Sequence, residues 1–278
     1  MKTKIFVTSD SLIDYISHPH SISSIPSLIK FFEIETYFDY IDMSSEKFFN
    51  RLRFDSKSNP EICPIDIEYL QNDINIALES YEEILIITSL ELNYSDVISK
   101  LKEAYGECIH FYQTKATGHI LAQMAIECDR VLKNEKTYEE AFLSMEDLYK
   151  NSLMLIVNPK DDIDVSNIVD EEKRVEEKRK GNLYIVDYHK DSEIKDRDRD
   201  MIVSLIKHYL DYLKDDTAVT PFILYSSKYS YYLKLIESKL LLVHKRFKSI
   251  KKIPASPNMG LKYGNNIIAI GYTKNIKE

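Results

Sequence analysis

The sequence predicts an α/β protein in two domains, the first built on a mostly parallel sheet and the second a further α/β domain. Three observations carry this. Short apolar runs alternate with longer amphipathic stretches along much of the chain, the order that lays helices on both faces of a parallel sheet. The run Ile84-Leu-Ile-Ile87 is apolar on both sides of a strand and has polar residues before and after it, so it belongs near the centre of a covered sheet. The length of 278 residues is enough for one large domain or two smaller ones.

The elements follow in order. Ile5-Phe-Val-Thr8 reads as a buried strand and Ser9-Asp-Ser11 as the turn after it. Ser44 is placed to cap a helix whose apolar residues are Phe48, Phe49 and Leu52. A loop at Lys57–Pro64 leads to a second helix, with Ile67, Leu70, Ile74 and Leu78 close to helical spacing. After the Ile84–Ile87 strand come a helix around Val97, Ile98 and Leu101, a strand at Cys108–Tyr112, and helices at Ile120–Lys133 and Tyr138–Tyr149. Leu153–Val157 is another strand. Beyond it the composition changes, and Asp161–Lys180 mixes acidic and basic residues as a solvated linker or exposed helix does. The domain boundary is therefore placed here, giving residues 1–158 and 159–278. The second part resumes with a strand at Leu183–Tyr188, a helix at Met201–Leu213 and a strand at Pro221–Tyr225. A helix at Tyr229–Leu240, an apolar run at Leu240–Val243 and a final strand at Ile267–Tyr272 complete it.

Composition narrows the function. Hydrophobic residues at 44% and charged residues at 29% are the balance of a globular protein. A net charge of −8 argues against nucleic acid or an anionic membrane as the main partner. Met1–Lys4 runs straight into a short strand, which fits no signal peptide, and no uncharged apolar stretch is long enough to span a bilayer. Three cysteines without a CxxC spacing suit a reducing cytoplasm, so a cytoplasmic location is expected.

Catalytic and cofactor motifs are missing. There is no GxGxxG after a strand, no GxxxxGK[ST] and no GxSxG elbow, and six glycines in the whole chain leave little room for a dinucleotide loop. His18 and His20 lie two apart on a Pro-containing loop, a weak metal signal, and Cys63 beside Pro64 has no obvious histidine partner. No cofactor, metal or catalytic residue is expected.

Several segments, in order, resemble the motifs of one known family. Ile5-Phe-Val-Thr-Ser-Asp-Ser11 is similar to the strand and T-D-S turn that open the family. Tyr37-Phe-Asp-Tyr-Ile-Asp-Met43 with Glu46-Lys-Phe-Phe49 is similar to its Y-x-D-x-x-D-I…F-Y segment, and Pro60-Glu-Ile-Cys-Pro64 stands where it has P-x-T-S-Q-P. Residues 84–95 resemble its strand and serine-rich loop with one residue deleted, and Tyr112–Gly118 resembles I-D-S-x-x-x-S-x-G. Ser256-Pro-Asn-Met-Gly-Leu-Lys-Tyr-Gly264 lines up on G-P-x-x-G-x-H-x-G. In these segments the chain resembles the DegV family of bacterial fatty-acid-binding proteins.

The resemblance implies a two-domain fold holding a long-chain fatty acid between the domains, with the acyl carboxylate presented to a separate fatty acid kinase. Such a protein is a carrier, not an enzyme. It also implies ligand-binding positions at Ser11, Glu61, Ile62, Ser89, Thr117, Gly118 and Lys262. Here the chain departs from the family. Glu61 and Ile62 replace threonine and serine, Leu90 follows Ser89 where a second serine belongs, and Lys262 replaces a histidine. The deletion also allows Leu90 and Glu91 to occupy the paired-serine positions. Lys262 would pair with Glu61 in an empty cleft and with the ligand carboxylate in a filled one. Because each buried methylene contributes about 0.8 kcal/mol and a charge-assisted hydrogen bond about 1.5–3 kcal/mol, the tail sets most of the affinity and the head-group residues set orientation. The alternative is an interaction or regulatory domain on the same fold without lipid, and a small-molecule enzyme is the third reading.

Overall fold

The computed structural model describes residues 2–32, 34–54, 60–90, 92–157, 183–188, 192–196, 201–213, 218–226 and 230–275. The charged segment at 161–180 lies outside the described residues. The first half runs β1 (Thr3–Thr8), β2 (Ile22–Ile25), β3 (Leu28–Phe31), β4 (Glu35–Phe38), α1 (Ser45–Phe54), β5 (Glu61–Cys63), α2 (Ile67–Leu78), β6 (Glu83–Ser89), α3 (Ser95–Tyr105), β7 (Ile109–Thr114), α4 (Gly118–Lys133) and α5 (Tyr138–Lys150). The second half runs β8 (Leu153–Val157), β9 (Leu183–Asp187), β10 (Ser192–Asp196), α6 (Met201–Tyr212), β11 (Val219–Tyr225), α7 (Ser230–Val243), β12 (Lys251–Pro254), α8 (Pro257–Tyr263) and β13 (Ile268–Lys274). The chain forms two compact units. One comprises Met1–Phe48, Asp55–Lys150 and Ser256–Asn258; the other comprises Phe49–Phe54, Asn151–Ala255 and Met259–Glu278.

In the first unit four strands in the order β2-β1-β6-β7 form a wholly parallel sheet. The Ile84–Ile87 run lies inside it, pairing with β1 on one side and β7 on the other, as its two-faced apolar character requires. Ile84 and Ile86 join Phe6 in a cluster with Leu70 and Ile74 of α2 and Leu101 of α3. By the alternation of strand side chains, Leu85 and Ile87 face the other way, and both are fully buried. On α1, the Lys47 amide donates to Ser44 Oγ at 3.4 Å and the Phe48 amide to Ser44 O at 3.0 Å, which is the N-cap its sequence suggested. Asp66 caps α2 by accepting from the Glu68 amide at 3.1 Å.

A small antiparallel sheet, β4-β3-β5, belongs to the same unit. The sequence reading assigned β3 and β4 no element and placed β5 within a loop at Lys57–Pro64, where Glu61–Cys63 in fact pairs with β3. The strands of this sheet are three or four residues long and interrupted by polar side chains, so they carry neither an apolar run nor a sustained alternation.

The second unit is built on a six-stranded sheet, β10-β9-β8-β13-β11-β12, in which only β11 and β12 run parallel. Leu205 and Tyr209 of α6 and Ile236 and Leu240 of α7 pack on one face, against Leu155, Ile223 and Ile270. The apolar run at Leu240–Val243 closes α7. Facing the other way by strand alternation are Met154, Ile156, Phe222, Leu224 and Ala269, all buried. No helix among the described residues is long and apolar enough to cross a membrane.

Candidate ligand-binding site

The chain leaves β1 towards β2 on one side, whereas β6 leads through α3 to β7 on the other. Where neighbouring parallel strands send their connections in opposite directions, a crevice opens at their carboxyl ends, and ligands of such sheets bind there. In this protein that edge is polar and buried.

The turn after β1, Ser9-Asp-Ser11, forms one 3-10 turn closed by Leu12 in the left-handed region at φ 62°. Thr117, before α4, donates its hydroxyl to Asp10 Oδ2 at 3.0 Å. Ser9 donates to Asp39 Oδ2 at 2.6 Å, and the Ser27 amide donates back to Ser9 Oγ at 3.2 Å. At the end of β6 the Ser89 amide donates to Thr8 Oγ1 at 3.4 Å, tying the two central strands together at the crevice. Thr88 Oγ1 is buried with no hydrogen-bond partner among the described residues. Gly118 opens α4 at φ 59°, a conformation that glycine adopts without the Cβ penalty.

Electrostatics sharpen this cluster. Burial pushes the Asp39 carboxyl up to about 7; the nearby Asp10 charge adds to the rise and the Ser9 hydroxyl opposes it. Asp39 is thereby held more protonated near neutrality than an exposed aspartate. The Tyr94 phenol, 1% exposed, is raised by burial and then by the Asp10 carboxylate, which keeps it neutral and able to donate. Asp14 is raised by burial against hydrogen bonds from Ser24 and Tyr40. The edge thus offers hydroxyl groups and carboxyls whose affinity for protons is raised by burial, the groups that hold an oxygen-rich polar ligand end. Among the described residues no three His, Cys, Asp or Glu side chains are grouped to hold a metal ion. His18 Nδ1 lies instead 3.0 Å from the Ile16 carbonyl oxygen. The Cys63 thiol is raised by burial and by its hydrogen bond with Glu61, the wrong direction for a nucleophile.

The residues singled out by sequence fall into three places. Ser11, Ser89, Thr117 and Gly118 come together at the crevice edge of the first unit. Ser11 is engaged there within its own turn, its Oγ accepting from the Ile13 amide at 3.3 Å. Glu61 and Ile62 lie on β5 of the small sheet, opposite Lys30 and Ile29 of β3. Glu61 is exposed and Ile62 half-buried. Lys262 belongs to the second unit, on α8, with Nζ 5.5 Å from the Tyr188 ring centre and 5.3 Å from that of Tyr263. Sequence reasoning missed Asp10, Asp39, Thr88 and Tyr94. Asp10 and Asp39 stood inside segments already recognised, but a carboxylate in a turn or before a helix ordinarily reads as solvated.

No family model matches the chain, and no curated protein does either. Solved structures do. A fatty-acid-binding DegV family protein from Thermus thermophilus matches 99% of this chain and 100% of its own with a TM-score of 0.80 at 10% identity. A fatty-acid-binding DegV family protein from Streptococcus agalactiae matches 99% of this chain and 100% of its own with a TM-score of 0.77 at 12% identity. A stearic-acid-binding protein from Eubacterium ventriosum matches 98% of each chain with a TM-score of 0.73 at 16% identity. This chain has their fold over essentially its whole length.

Proposed function

We propose that this protein binds a long-chain fatty acid or a closely related lipid, with the tail between its two domains and the carboxylate at the polar edge of the parallel sheet. It would thereby be a divergent DegV family carrier. The observation that carries the reading is the buried hydroxyl-rich edge at Thr8–Ser11, Ser89 and Thr117, in a fold whose solved relatives bind fatty acids over the same chain length. In this reading Ser11 and Ser89 offer hydroxyl groups to the carboxylate, Thr117 does so by turning its hydroxyl away from Asp10, and Gly118 lets the backbone approach it. Lys262 supplies the positive charge, and Glu61 competes for that charge when no ligand is bound. Ile62 lends apolar surface near the head group. The carrier then presents the carboxylate to a fatty acid kinase, and the protein itself does no chemistry.

Titration with a fluorescent fatty acid tests the assignment. Lys262→Met should weaken binding by about 1.5–3 kcal/mol, the range for a hydrogen bond to a charged group, and Glu61→Gln should strengthen it or leave it unchanged. Unaltered affinity in Lys262→Met rejects the lysine as head-group ligand. Absence of binding in the wild type moves the assignment to an interaction domain without lipid. Formation of acyl phosphate when the loaded protein is mixed with a bacterial fatty acid kinase and ATP tests the presentation step.

A further inference from the structure

The second unit carries a surface whose charge is opposite to that of the chain. From Lys234 to Lys252 the sequence has seven basic residues and one acidic residue, within a chain of net charge −8. The stretch covers most of α7, the turn after it and the start of β12. On α7, Leu233, Ile236 and Leu240 are buried in the core of the unit. The opposite face is open: Leu235 is 37% and Leu242 68% exposed, and Lys234, Ser238 and Lys239 are exposed beside them. At 3.6 residues per turn, Leu235 and Leu242 stand in one row, with Lys239 to one side and Lys234 and Ser238 to the other. Lys245 and Lys248 are exposed just past the end of the helix. The chain is held beside α7 there, because Glu237 accepts from the Ile250 amide at 3.1 Å and pairs with Lys252.

The lysines of this surface are not balanced by neighbouring acids. Among the described residues, no carboxylate pairs with Lys234, Lys239, Lys245 or Lys248. The one acidic residue of the stretch, Glu237, is taken by Lys252. The neighbouring helix α6 exposes one cation, Lys207, and one anion, Asp211, whose Oδ2 lies 3.8 Å from His208 Nδ1 of the same helix. Arg246 turns back to donate to the Val219 carbonyl and covers the Phe247 ring, so its guanidinium serves the fold. The negative charge of the whole chain opposes an anionic partner only at long range. At physiological salt, charges more than about 8 Å away are largely screened, so a partner touching this face meets the lysines. Nucleic acid would engage the lysines through its phosphates but gains nothing from two exposed leucines in their midst. A bilayer with anionic head groups engages both, the lysines at the phosphates and the leucines at the acyl boundary.

We propose that this face of the second unit, Leu235 and Leu242 flanked by Lys234, Lys239, Lys245 and Lys248, docks on an anionic lipid bilayer. Docking does not depend on the fatty-acid reading, since the face uses none of the head-group residues. Flotation of the intact protein with phosphatidylcholine vesicles, with and without phosphatidylglycerol, tests it. The protein should float with the phosphatidylglycerol vesicles, stay behind with phosphatidylcholine alone, and be released as salt is raised. Lys239→Gln and Lys245→Gln should each weaken binding about fivefold, the equivalent of roughly 1 kcal/mol per lysine near an anionic surface. Leu242→Ser should weaken it by a comparable factor, through lost apolar area rather than charge. Lys100→Gln, on α3 of the first unit, should leave it unchanged. All four positions are exposed, so the substitutions leave the fold intact. Binding of a double-stranded oligonucleotide without binding of vesicles would reassign the face to nucleic acid and overturn the proposal. No binding to either vesicle, equal binding to both, or affinity unchanged in the two lysine variants or in Leu242→Ser would overturn it as well.

Discussion

Asp39 is buried beside Asp10, and its folded pKa of about 7 stands well above the ordinary value of 3.8. The folded state therefore keeps a proton that the unfolded chain has already lost. Stability from this site is greatest below the unfolded value, declines as pH rises towards 7, and is level above it. Asp39→Asn keeps an acceptor for the Ser9 hydroxyl and removes the charge. Its melting temperature should match wild type near about pH 4 and exceed it near about pH 8, by roughly 2–4 °C per kcal/mol of relief. A constant difference across that range would show that Asp39 stays ionised when folded. Gly118 makes a second residue-scale case: at φ 59°, Gly118→Ala should cost roughly 1–2 kcal/mol in denaturant unfolding. Neither feature was legible in the sequence. The Asp39 environment is assembled from Ser9, Asp10 and Ser27, each remote from it along the chain, and a left-handed φ leaves no trace beyond the glycine itself.

At the scale of elements, the legible parts were those whose periodicity is sustained. The helix carrying Ile67, Leu70, Ile74 and Leu78 forms where their spacing put it and runs over Ile67–Leu78, because helical spacing over three turns leaves little choice. The strands β2 to β5 and β12 were not placed, since so few residues do not establish a period of two. The final strand was placed, but the role of its glycine was not. Gly271 sits opposite Phe222 of β11 and Met154 of β8. A Cβ added there would lie 2.1 Å from the Leu153 carbonyl oxygen and 2.5 Å from the Phe222 ring. The ring has to cross the strand where no side chain stands. Gly271→Ala should lower stability by about 1–3 kcal/mol, the usual cost of overpacking a core. Phe222→Leu should not restore it, because the closer obstacle is backbone. Full rescue in the double variant, read by thermal melting, would mean that the ring alone sets the constraint.

For the whole molecule, what was legible was the order of weak motifs. The turn at Ser9–Ser11, the strand at Ile84–Ile87 and the segment at Ser256–Gly264 each say little alone, yet their sequence along the chain pointed to a fold that solved structures match at only 10–16% identity. The head-group positions were the least legible, since Glu61, Ile62 and Lys262 are the places where the chain departs from the resemblance. A tail of about 15 methylenes gains roughly 12 kcal/mol from burial before the costs of association, so in the proposed reading binding would tolerate those departures better than delivery would. Organic extraction of the protein purified from a bacterial host, followed by mass spectrometry, tests the central claim most directly. The account predicts recovery of a saturated or unsaturated fatty acid of about 14–18 carbons, long enough for its methylenes to dominate the affinity. Repeated extraction without lipid, from a folded protein that also fails to bind a fluorescent fatty acid, would contradict it.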